Sequence, residues 1–259
     1  MGPNKNPLAP NQNQLTPNQS TYTQNQNAYA TPASPSALGV RPAAQLSSAF
    51  LTQAFAWMFV GLLLTAGVAY AVQTNDRLLE FAANNLFILL IAQIGIVIAI
   101  SGAISRISAT AALGLFFVYA ASVGITIGLI VSAYSTASVA TAFLSASAMF
   151  GAAAIYGAVT KRSLVGLGGI LFMGLIGLIV ASVINLFVGW NELNFLISIV
   201  GIVLFTALTA YDVQRIQNGD LAAWTGSMEK GAVIGALSLY LNFINLFLFF
   251  LRLFGGSRN

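Results

Sequence analysis

The sequence predicts an all-α polytopic membrane protein, a bundle of seven transmembrane helices behind a disordered N-terminal tail. Three observations lead there. Hydrophobic residues make up 58% of the 259 and charged residues only 6%, with a mean hydropathy of +0.84; a soluble domain of this length cannot cover its surface with so few charges. The apolar residues fall into blocks near the ~20 residues that cross a bilayer. All seven prolines lie at or before Pro42, which separates a polar leader from the apolar blocks.

The leader, residues 1–46, is built from Pro, Asn, Gln, Ser, Thr and Ala and repeats Pro10-Asn11-Gln12 as Pro17-Asn18-Gln19. So little apolar surface cannot offset the entropy of ordering, so a solvated, disordered tail is expected, with tethering or docking as the alternative. It frames no signal peptide: no short apolar core follows a basic start, and the first span is expected to act as an uncleaved anchor.

The membrane domain, residues 47–259, follows in close order. The apolar blocks place spans at Ser47–Val72, Asn85–Ile104, Thr110–Ser132, Ala137–Thr160, Leu164–Val188, Asn194–Ile216 and Ala232–Phe254. Cytoplasmic loops collect Lys and Arg. With the tail inside, Lys5, Arg41, Arg106, Lys161, Arg162, Arg215 and Lys230 are cytoplasmic, and Arg77, Arg252 and Arg258 are outside. The expected topology is therefore a multi-pass cell-membrane protein with its N-terminus cytoplasmic and its C-terminus outside.

The chain contains no His and no Cys. A thiol nucleophile, a disulfide, a Ser-His protease and a His-ligated metal or haem are thereby excluded. A retinal Schiff base needs a Lys deep in the last helix, and Lys230 precedes the block assigned to it. No GxxxxGK[ST] or GxGxxG run cradles a phosphate, so no cofactor is called for. The basic residues form no run that would bind nucleic acid. An aspartyl intramembrane protease needs two Asp within spans, and only Asp212 qualifies, so no enzyme activity is expected.

What remains is transport, conduction or interaction, for which polar groups within spans are informative. Asp212 lies about one turn inside the end of the sixth block, roughly 6 Å deep at 1.5 Å per residue. Two readings stand side by side: an interfacial pair with Arg215 one turn on, or an interior carboxylate that titrates or binds a cation. Asn242 and Asn245 share one face of the seventh block, as interhelical glue or an ion site. The pairs Gly124 with Gly128, Gly174 with Gly177 and Gly231 with Gly235 fit close helix packing. Tyr156, Tyr211, Tyr240 and Trp190 fit interfacial anchoring or interior hydrogen bonding.

Four stretches now carry a resemblance: Ile155-Tyr156-Gly157-Ala158-Val159-Thr160-Lys161-Arg162-Ser163-Leu164, then Leu171 to Ser182, then Ala210-Tyr211-Asp212-Val213-Gln214-Arg215-Ile216, then Gly235 to Phe247. In this order they resemble the Bax inhibitor-one family, also called the transmembrane Bax inhibitor motif family, in its bacterial type. The resemblance covers the membrane region and not the tail.

It implies a bundle whose last helix is central and wrapped by the others, and a pH-sensitive calcium leak. In bacterial relatives an Asp on the sixth helix and one on the seventh share a proton, and an Arg after the second helix pairs with the former in the closed state. The first Asp corresponds to Asp212, the Arg to Arg106 and the second Asp to Asn242, with Asn245, Arg215 and Tyr211 as secondary candidates. Ser163 stands where relatives often carry Asp. Two close carboxylates cannot both ionise cheaply and titrate as a unit; Asn242 cannot ionise, so the geometry is expected to survive without the coupled titration. Calcium takes six to eight oxygens as a rule, so one carboxylate predicts only weak, transient contact at Asp212. Besides the lipid bilayer, the family implies a membrane protease or other membrane protein as partner for a member that conducts nothing and regulates instead.

Overall fold

The computed structural model describes residues 44–255, which are helical nearly throughout. The helices are α1 (Ala44–Gln73), α2 (Asp76–Asn84), α3 (Leu86–Ala103), α4 (Ala109–Ser132), α5 (Thr136–Val159), α6 (Gly168–Val188) after a 3-10 turn at Val165–Leu167, α7 (Asn191–Gln217), α8 (Asp220–Thr225) and α9 (Met228–Phe254). Among the described residues, seven segments are long and apolar enough to cross a membrane: α1, α3, α4, α5, the 3-10 turn with α6, α7 and α9. Residues 1–43 of the expected tail, with Lys5 and Arg41, lie outside the described residues, as does Arg258. Residues 44–46, assigned by sequence to the tail, are the first of α1.

Two short helices were not expected. Helix α2 forms because the Asn75 side chain accepts hydrogen bonds from the backbone N–H groups of Arg77 (3.1 Å) and Leu78 (3.3 Å), while Asp76 complements the helix dipole. It leaves Leu78 and Phe81 exposed, the pattern of a helix lying in the membrane interface. Helix α8 is bracketed by Gly219 and Gly226, both in the left-handed region that favours glycine. Ser227 then caps α9 through the Lys230 N–H, so α9 starts four residues before the expected Ala232 and Lys230 falls within its first turn.

Helix α9 is the centre of the bundle, as the resemblance implies. It packs against α1, α4, α5, α7 and α8, and between Gly231 and Leu251 none of its residues is exposed. Outermost are α3, packed on α4, and α6, packed on α7. They turn large apolar side chains outward: Phe87 is 71% exposed, Ile170 70% and Phe187 83%. No water-soluble surface is built this way, and only hydrocarbon can solvate it.

Close approach and a few polar bonds lock the helices, since hydrocarbon gives them no hydrophobic drive to associate. A Cβ at Gly124 would lie 2.8 Å from the Thr65 carbonyl oxygen, and one at Gly128 2.8 Å from that of Ala69. Both glycines are therefore required where α4 meets α1. The Thr65 hydroxyl donates to the Ala120 carbonyl (2.8 Å) and lies 2.6 Å from the Tyr240 hydroxyl, joining α1, α4 and α9. Gln93 fastens α3 to α4 by donating to the Ser122 carbonyl (3.0 Å) and the Thr126 hydroxyl (2.8 Å).

Candidate functional site

The last turns of α7 carry a dense polar group in an apolar setting. Asp212 is buried, 8% exposed, so its carboxylate must find partners within the protein. The Asn242 side-chain amide of α9 donates to Asp212 Oδ2 at 2.8 Å. Arg215, one turn further along α7, places Nη1 3.8 Å from Asp212 Oδ1. These contacts are unequal. The first is a buried hydrogen bond to a charged group, a class that contributes about 1.5–3 kcal/mol. The second is longer than a hydrogen bond and its arginine is part-exposed, a class contributing about 1 kcal/mol at most. Asn242 therefore holds the carboxylate, and Arg215 is free to leave at low cost.

The surrounding residues fix α7 at this depth. The Arg215 guanidinium lies 5.3 Å from the centre of the Tyr211 ring, a cation–π contact that steers it back along α7. Tyr211 packs on the start of α6, where a Cβ at Gly168 would lie 2.5 Å from its hydroxyl oxygen. Gln214 is buried and uses both ends of its amide, accepting from the Leu164 N–H (2.7 Å) and donating to the Arg162 carbonyl (2.9 Å). It clamps the loop between α5 and α6 onto α7. Near the end of α5, Gly157 abuts the backbone of Ala210, two residues before Asp212 in α7.

Asp212 is thus an interior carboxylate that also pairs with Arg215. The structure brings Asp212, Asn242, Arg215 and Tyr211 together. Asn245 does not join them: its amide donates to the Leu241 carbonyl of its own helix at 2.8 Å. Nor does Arg106, which is exposed in the turn after α3 and forms no ion pair with Asp212. The turn that carries it is tied instead to the start of α9, where the Ser105 carbonyl accepts from Lys230 Nζ at 3.3 Å, and Lys230 precedes Asn242 by twelve residues, about 18 Å along α9. The cation beside Asp212 is Arg215.

Sequence reasoning passed over Gln214 and Gln93. Each is an amide in an apolar run, the same signal that drew notice to Asn242, and each is buried and bonded to another segment, Gln93 to α4 and Gln214 to the loop between α5 and α6.

As a cation site the arrangement is sparse. Among the described residues no three acidic side chains cluster, one Asp212 oxygen is committed to Asn242 and the other faces Arg215. A cation reaches both oxygens only by displacing Arg215.

Comparison with known proteins agrees with a multi-pass membrane protein. A family model described as inhibitor of apoptosis-promoting Bax1 matches residues 47–259. The inner membrane protein YbhL of Escherichia coli is 41% identical over 225 residues, covering 85% of this chain and 96% of its own. A Deinococcus radiodurans protein is 41% identical over 211 residues, covering 81% and 91%. A Streptococcus pyogenes membrane protein is 39% identical over 214 residues, covering 80% and 93%. With the family match spanning every transmembrane helix, the chain belongs to the Bax inhibitor-1 family of multi-pass membrane proteins.

Proposed function

We propose that this protein is a pH-sensitive leak for calcium or other cations, gated where Asp212 meets Asn242 and Arg215. The observation that carries the proposal is the buried carboxylate of α7 bonded to the central helix, since a charge retained inside a membrane bundle marks an ion or proton pathway. Protonation of Asp212 leaves its bond to α9 intact: the Asn242 amide presents N–H to an ionised carboxylate and, turned over, C=O to a protonated one. The Arg215 contact has no such second form. When Asp212 is neutralised, or when a cation reaches it, the guanidinium loses its counter-charge and swings to solvent, opening the approach to the carboxylate. Calcium crossing there takes its remaining oxygens from backbone carbonyls and water.

The charge distribution supports a cytoplasmic placement for this end of the bundle. Arg106, Lys161, Arg162, Arg215 and Lys230 lie at the face where α3, α5 and α7 end and α9 begins, the enrichment that marks a cytoplasmic side. Asp212 is five residues from the end of α7, about 7.5 Å along that helix, and its partner Asn242 is twelve residues from Lys230, about 18 Å along α9, so the gate sits within the bundle, below the basic face.

Calcium flux into dye-loaded liposomes containing only this protein tests the proposal across a pH series. Wild type is expected to leak, more so as pH falls and Asp212 gains a proton. Asp212→Asn is expected to leak with no pH dependence, because it keeps an amide partner for Asn242 and has no charge to hold Arg215. Silence of the wild-type protein, or an unchanged pH response in the variant, overturns it.

A further inference from the structure

An apolar cavity of about 360 Å³ lies between α1 and α5, with the central helix as its floor. Ala66 and Tyr70 of α1 and Ala140 and Phe143 of α5 are exposed at its mouth, while Phe243, Ile244 and Phe247 of α9 form the buried bottom. Its polar groups gather at one end: Gln73 is the last residue of α1, Thr136 the first of α5, and Tyr70 lies one turn in. We propose that this cavity holds one acyl chain of a bilayer phospholipid, with the glycerol ester region of that lipid against Gln73 and Thr136.

The surroundings select the occupant. The exposed lining residues Ala66, Tyr70, Ala140 and Phe143 lie on helices whose neighbouring Leu63 and Leu144 are also exposed and apolar, so what reaches the mouth is membrane hydrocarbon. Water finds few partners inside: the Thr65 hydroxyl, deep in the wall, is already committed to the Ala120 carbonyl and the Tyr240 hydroxyl, and a buried water needs two to four such partners. A cation finds no carboxylate among the lining residues. A partner helix is too large. At about 10 Å across it displaces roughly 80 Å³ per ångström of length, so less than one turn would fill the space. A methylene takes about the volume of a water molecule, about 30 Å³, so roughly a dozen fit in a row. Left empty, the aromatic floor would forfeit its dispersion contacts. The polar end matches the depth at which a phospholipid's esters lie, whereas a free hydrocarbon has no use for it.

Because Phe243, Ile244 and Phe247 are buried and line the cavity, lipid contact with these three residues reports entry into it. The full chain is reconstituted in phosphatidylethanolamine and phosphatidylglycerol vesicles doped with a phosphatidylcholine bearing a diazirine on its acyl chain. After irradiation, adducts are mapped by peptide mass spectrometry. Wild type is expected to carry label on α9 at Phe243–Phe247 as well as on the outer helices α3 and α6. Ala140→Trp fills the mouth from α5, and Ala66→Phe fills it from α1. Each is expected to lose the α9 label and keep that on α3 and α6, which also shows that the variant is folded. Absence of α9 label in wild type overturns the proposal, as does its persistence in both variants. Label on α9 from a diazirine fatty acid but not from the phospholipid also overturns it, assigning the cavity to a free amphiphile.

Discussion

At the scale of single residues, the position with the most chemical content is Asn242. An amide there satisfies an ionised Asp212 at 2.8 Å without adding a second charge. Asn242→Asp puts two carboxylates at hydrogen-bond distance, where both cannot ionise cheaply and one proton is shared. The sign follows: at low pH the shared proton preserves the α7–α9 bond, and as pH rises its loss leaves two facing charges. We expect Asn242→Asp to match wild type in thermal stability at low pH, to fall below it as pH rises, and to give a flux–pH curve displaced from that of wild type; coincident curves would count against the arrangement. Asn242→Leu, which strands Asp212 without its donor, should be destabilised at neutral pH by about 1–3 kcal/mol. Asp212 and Asn242 were legible because a polar residue in an apolar block stands out, and the family stretches gave their pairing. The pair with Arg215 was legible as one of two readings from its spacing, but its precedence over Arg106 was not. The choice between it and Arg106 depends on where the turn after α3 lies along α9, a tertiary distance that sequence order does not carry.

At the scale of elements, the bundle depends on a few places where two backbones touch, and they can be told from places where glycine is incidental. Gly157 of α5 meets the Ala210 backbone of α7, two residues from Asp212. A methyl group there has no flexible side chain to displace, so the helices must part. Gly151, two turns earlier on α5, has nothing within 4 Å of its would-be Cβ. Gly157→Ala should destabilise the protein by about 1–3 kcal/mol through overpacking. Gly151→Ala should be neutral or stabilising by up to about 1 kcal/mol, as expected for alanine in a helix. Thermal unfolding in detergent compares them, and equal effects would show that α5 and α7 are not in close register. Helix existence was legible here and helix contact was not. The spans follow from apolar run length, and six of the seven share at least nine-tenths of their expected residues with the observed helices. The exception is α6, where a 3-10 turn precedes the helix. Helix α2 escaped because its nine residues are too few and too polar for a span, and what fixes it is the Asn75 cap. The central place of α9 came from the family stretches alone, since its apolar residues look no different from those of the lipid-facing α3.

At the scale of the whole molecule, the arrangement of charge predicts which way the bundle sits. The face formed by the ends of α3, α5 and α7 carries Arg106, Lys161, Arg162 and Arg215, with Lys230 beside them at the start of α9; the opposite face has only Arg77 and Arg252 among the described residues. Lys230 donating to the Ser105 carbonyl confirms that the start of α9 and the turn after α3 share one face. Basic residues in short loops set insertion because they resist translocation, and acidic ones contribute little. Glu229 and Asp220 on the basic face therefore do not cancel the bias. Seven spans then put the two ends of the chain on opposite sides. Alkaline phosphatase, active only outside the cytoplasm, is expected to be active when fused after Asn259, and green fluorescent protein to be bright when fused before Met1. Moving charge should move the balance. Lys161→Glu with Arg162→Glu strips two of the five basic residues from the proposed cytoplasmic face and leaves the Gln214 clamp intact, because that clamp uses only backbone groups of Arg162 and Leu164. Phosphatase activity at the C-terminus of this double variant should fall as a fraction of molecules inserts the other way. A wild-type C-terminal fusion that is silent as phosphatase and fluorescent as green fluorescent protein would reverse the orientation, and with it the side of the membrane on which Arg215 lies.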